Sequence, residues 1–92
     1  MPIKLGIEEL RKQISDQEVI IKMLNEVKDV GARTVLLRLY DVIMALWTYW
    51  DVTQDKEAEY YISYYQKKFF NLLFKERRRE MRNGGHQTQG KR

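Results

Sequence analysis

Proline occurs once, at Pro2, and between Gly6 and Gly84 the chain contains a single glycine, Gly31. These two residue types are the principal breakers of helices. A run of 77 residues, 7–83, with one such breaker predicts long helices. No segment alternates apolar and polar side chains as a half-buried strand would. The expected fold is therefore all-α. With 92 residues the chain forms one domain, here 1–83, followed by a flexible basic tail at 84–92.

The apolar spacing predicts three helices per subunit. In the first, at about 7–30, Ile7, Leu10, Ile14, Ile21 and Leu24 recur at helical steps. Ile3 precedes this stripe, Ile20 and Val27 widen it, and Gln17 interrupts it. Gly31 is placed to end this helix in a left-handed cap. The stripe is close to a heptad, which suits a coiled-coil contact.

The second helix, about 33–52, gathers Thr34, Arg38, Asp41 and Thr48 on one narrow strip, and apolar side chains cover nearly all of the rest. Such a helix is buried nearly all round, and two further helices of one small chain would struggle to cover it. A homo-oligomer follows as an expectation, most simply a two-fold dimer forming a helical bundle. Its dimer or core residues would be Ile14, Ile21, Leu24, Leu39, Ile43, Leu46, Trp47 and Trp50. Arg38 and Asp41 are spaced to pair within the helix or across the dimer.

The third helix is expected at about 55–82, capped by Asp51, Thr53 or Asp55. Asn83-Gly84-Gly85 reads as its stop. The alternative is one continuous helix from Arg33 to Arg82, because no glycine or proline separates the second from the third.

Charge divides the chain. Residues 1–66 carry eight Lys/Arg and eleven Asp/Glu, a net −3; residues 67–92 carry nine and two, a net +7. An acidic body with a basic end is the footprint of contact with a polyanion, or of a solvated helix terminus that suits the dipole. Projected on a wheel, the third helix turns Ala58, Ile62, Tyr65, Phe69, Leu72 and Leu73 to one side. Tyr60, Tyr64, Lys67, Asn71, Phe74 and Arg78 fall opposite, flanked by Lys68, Lys75 and Arg82.

The candidate nucleic-acid-binding residues are therefore Lys67, Lys68, Lys75, Arg77, Arg78, Arg79 and Arg82, with Tyr60, Tyr64 and Phe74 able to stack on bases. Packing of those rings against the first helix or a second subunit is the competing reading. Replacing Arg77, Arg78, Arg79 and Arg82 is expected to abolish binding at little cost in stability.

Other functions fare worse. The chain has no cysteine and one histidine, His86, so neither a zinc site nor a Cys–His or Ser–His pair is available. No cofactor, metal or enzymatic activity is expected. Glu76 continues the core stripe and should pair with a nearby arginine. A helix-turn-helix at Val30-Gly31-Ala32 fails, because the helix after it is too apolar to lie in a groove.

The charge-free stretch Val42–Trp50 is shorter than the ~20 residues of a membrane span. The start lacks a signal-peptide pattern, so an intracellular, cytoplasmic location is expected. Surface binding to lipid through Phe69, Phe70, Leu72, Leu73 and Phe74 beside the arginines ranks third. The competitor of nearly equal standing to nucleic acid is a protein–protein adaptor or scaffold, with the basic end incidental.

Overall fold

The computed structural model describes residues 6–89, with side chains up to Met81. Among these residues there are four helices and no strand: α1 (Ile7–Ile14), α2 (Gln17–Glu26), α3 (Val30–Thr53) and α4 (Lys56–Gln89). Ile3 and residues 90–92 of the expected tail lie outside the described residues. No helix among them is long and apolar enough to cross a membrane.

The expected first helix is two helices, and the break is local chemistry. Ser15 Oγ donates to the Lys12 carbonyl, the Ser15 carbonyl accepts from the Gln17 N–H, and Asp16 Oδ1 accepts from the Val19 N–H. Short polar side chains here offer the backbone partners other than its own helix, and Asp16 restarts the helix as an N-cap. The break shifts the phase of the buried stripe. Leu10 and Ile14 are buried on α1, but on α2 the core takes Ile20 and Leu24, and Ile21 turns outward with Val19.

Gly31 does not cap the first helix. The chain leaves α2 at Val27 in extended conformation, and Asp29 caps α3 by accepting from the Ala32 N–H at 3.0 Å. Gly31 lies inside the first turn of α3, with no positive φ. A strong N-cap two residues upstream decides the boundary, and a glycine in a first turn is tolerated.

The continuous 33–82 helix is excluded. Gln54 adopts a left-handed conformation, φ 55°, and its N–H bonds the Trp50 carbonyl at 2.7 Å. Asp55 then starts α4: its side chain accepts from the Glu57 N–H at 2.9 Å. The third helix also runs further than expected, past Gly84-Gly85 to Gln89. Glycine costs a helix only about 1 kcal/mol relative to alanine, and no proline enforces a stop there.

α3 and α4 form an antiparallel hairpin, with Tyr40 against Phe69 and Trp47 against Gln66. The α1–α2 arm lies along one side of it, parallel to α4: Gln66 reaches Leu10, and Arg77 reaches Glu26. The molecule is elongated, 56 × 30 × 20 Å. Leu36, Ile43, Ile62, Phe69 and Leu73 are fully buried where the three layers meet. Each such side chain contributes roughly 1.5–3 kcal/mol by leaving water.

Of the residues expected at a dimer centre, Ile14, Leu24, Ile43 and Trp47 are buried within this single subunit. Leu39, Leu46 and Trp50 are half-buried, and Ile21 is exposed. The heptad-like seam of the first helix therefore faces its own hairpin. Arg38 and Asp41 are both exposed and make no ion pair among the described residues.

Two tie-points hold the arm to the hairpin. At the first, the fully buried Gln66 accepts from Trp47 Nε1 at 2.7 Å and donates to the Leu10 carbonyl at 3.0 Å and to Gln13 Oε1 at 3.2 Å. Arg11 lies over the Trp47 ring at 4.6 Å and bonds Asp51 at 2.9 Å. The second tie-point belongs to the basic end of α4.

Candidate nucleic-acid interface

From Tyr60 to Lys75, α4 contains three lysines and no acidic residue. The helix period sorts this segment into two faces. Ile62, Gln66, Phe69 and Leu73 point into the core, and Tyr60, Tyr64, Lys67, Lys68, Asn71, Phe74 and Lys75 point to solvent. Ala58 is buried and Tyr65 and Leu72 are half-buried, so the inner stripe follows the sequence pattern. The rings do not turn in to pack: Tyr60 is 64 % exposed, and Tyr64 and Phe74 are each 45 % exposed. Lys68 Nζ stands 5.3 Å from the centre of the Tyr64 ring, within cation–π range. Phe74 stacks on the half-buried Phe70.

The basic residues then divide into two groups. Lys67, Lys68, Lys75 and Arg78 are exposed and make no ion pair among the described residues. Arg77 and Arg79 are engaged at the second tie-point. Arg77 bonds Glu26 at 3.2 Å, and Arg79 bonds Asp29 and Glu76, each at 2.9 Å. Glu80 accepts from the Lys28 N–H at 2.8 Å. Glu76 is only 5 % exposed, and its pairing with an arginine matches the sequence expectation.

This cluster fixes the segment between α2 and α3. The Ala32 N–H and the Arg79 guanidinium hold the Asp29 carboxyl below the ordinary carboxylate range. Hydrogen bonding to Asp29 and the charge of Glu76 raise Arg79 above its own ordinary value. Replacing the four arginines, expected to cost little stability, would also remove contacts of the fold: Arg77 and Arg79 join α4 to Glu26 and Asp29. The side chain of Arg82 lies outside the described residues.

Sequence reasoning missed Gln66, a polar residue on the core face with Lys67 and Lys68 beside it. Its signal was position: it lies four residues after Ile62 and three before Phe69, on the stripe itself. Of the five bulky residues considered for a lipid surface, Phe69 and Leu73 are buried, Phe70 and Leu72 half-buried, and only Phe74 is exposed.

A cleft of about 520 Å³ opens at one end of the outer face, between the start of α1 and the first half of α4. Ile7 and Leu10 form its apolar side, and Tyr60, Ser63, Tyr64 and Lys67 its α4 side, with Lys56 and Glu59 at the edge. Glu59 is held by Trp50 Nε1 at 2.9 Å. No family model, curated protein or solved structure matches the chain.

Proposed function

We propose that this chain is a non-enzymatic binding protein that contacts nucleic acid through the outer face of α4. The observation that carries the reading is the sorting of the cations. Arginines 77 and 79 face acidic partners, whereas Lys67, Lys68, Lys75 and Arg78 share a solvent face with exposed rings and pair with no carboxylate among the described residues. Cations so placed neutralise phosphates and release counterions. Fluorescence anisotropy with labelled DNA and RNA tests this. Binding should weaken with salt, and each cation removed from this face should lower the logarithmic salt slope by about 0.7–0.9. Salt-independent binding, or none at low salt, contradicts it.

A second surface supports a partner chain. Along α3, Val35, Leu39, Val42, Leu46 and Tyr49 recur at alternating four- and three-residue steps. Val35, Val42 and Tyr49 are exposed, and Leu39 and Leu46 half-buried. This is the spacing of a coiled-coil seam. A homodimer through α3 is the assembly it suits, with a different protein as the adaptor alternative. Val42→Glu should convert a dimer to a folded monomer in sedimentation experiments. A wild-type monomer at high concentration would remove the dimer.

A further inference from the structure

Resting on the nucleic-acid reading, we infer that the ligand is single-stranded and that the cleft between α1 and α4 receives one of its unpaired bases. Three features point the same way. The cleft and the cationic face share Tyr60, Tyr64 and Lys67, so a strand following the cations passes over its mouth. Its volume lies within the range of small-molecule sites, and it offers aromatic and apolar surface with a serine hydroxyl, which suits a flat heteroaromatic ring. Lys56 and Lys67 line it as cations for the adjoining phosphates, and the one carboxylate of the lining, Glu59, is held by Trp50 Nε1.

The exposed rings make the choice between strand types. In a duplex the base faces are stacked on one another and closed to a tyrosine on a protein surface. In a single strand they are open, and aromatic side chains beside a basic track are the common solution for holding them. From Lys67 to Arg78 the cations extend the track by about 16 Å along the helix axis. Lysines and arginines can also read base edges in a major groove, but a duplex offers the exposed rings of Tyr60, Tyr64 and Phe74 no open base face.

Wild-type protein is titrated with three labelled ligands of about 12 nucleotides per strand: a single strand, as DNA and as RNA; a duplex; and an abasic strand with the same phosphates. The single strand should bind at least about fivefold more tightly than the duplex or the abasic strand, the factor that the low end of base–aromatic stacking supplies per base. Tyr60→Ala with Tyr64→Ala should remove that preference while the protein stays folded and still binds duplex, because the cations are untouched. Equal binding of normal and abasic strands, duplex preference, or full single-strand affinity in the tyrosine variant overturns the cleft assignment and leaves polyanion contact standing. No binding to any ligand at low salt overturns both readings.

Discussion

The two tie-points between the N-terminal arm and the hairpin solve one problem by opposite means. Near the α3–α4 turn, Gln66 joins Trp47 and Leu10 through neutral hydrogen bonds sealed from water. At the other end, Arg77 and Arg79 join Glu26 and Asp29 through ion pairs whose side chains stay about half exposed. A buried neutral bond is costly to break, because a donor left without a partner keeps its full desolvation penalty. An exposed ion pair is screened by salt and contributes little singly. The neutral tie is therefore the firmer one. At the charged end the half-exposed pairs of Arg77 and Arg79 with Glu26 and Asp29 contribute little singly, while the buried Glu76 carboxylate depends on Arg79 for its partner. The charged end lies beside the surface proposed to meet a polyanion.

Breaking the neutral tie should have the largest effect. Trp47→Ala removes a buried ring, its bond to Gln66 and its contact with Arg11, and should lower stability by about 3–5 kcal/mol in denaturant melts. Gln66→Leu keeps the volume but strands Trp47 Nε1–H, and should cost about 2 kcal/mol. Adding Trp47→Phe to that variant should cost less than the two single changes together, since no stranded donor remains. Simple additivity would show that the buried bond does not couple the helices.

The charged tie should respond more weakly and to different variables. Arg77→Gln should cost about 1 kcal/mol or less, shrinking further as salt is raised; a larger, salt-insensitive loss would place this pair with the neutral one. Asp29 gives the pH dependence. Its carboxyl is lowered in the folded chain, so the unfolded chain binds the proton more readily. Its contribution is complete above the ordinary carboxylate value of about 3.9 and is lost as pH falls through the lower folded value. Asp29→Asn should flatten the acid side of a plot of thermal midpoint against pH, and an unchanged slope would remove Asp29 from the account.

The sequence carries these two ends unequally. The apolar stripe of α4 was legible because burial selects residues by type at a fixed period, and Ile62, Phe69 and Leu73 obey it. Gln66 was not legible, because its place in the core depends on a tryptophan nineteen positions away. The boundaries near 15–16 and 27–31 were misjudged for a related reason. Apolar spacing does not register the capping bonds of Ser15, Asp16 and Asp29, which decide where a helix starts. At the candidate site, composition located the basic end and the wheel located the outer face. Neither could separate arginines that face acids on another helix from lysines that face solvent.

That separation is the central claim, and a paired titration tests it most directly. Lys67, Lys68, Lys75 and Arg78 are replaced together by Gln in one variant, and Arg77 and Arg79 in another. Affinity for a labelled single strand at low salt and the thermal midpoint are read on both. The first variant should lose binding and keep the wild-type midpoint. The second should melt earlier and still bind while folded. A first variant that binds like wild type, or a second that loses binding with its midpoint intact, would contradict the division of α4 into a face that holds the fold and a face that meets nucleic acid.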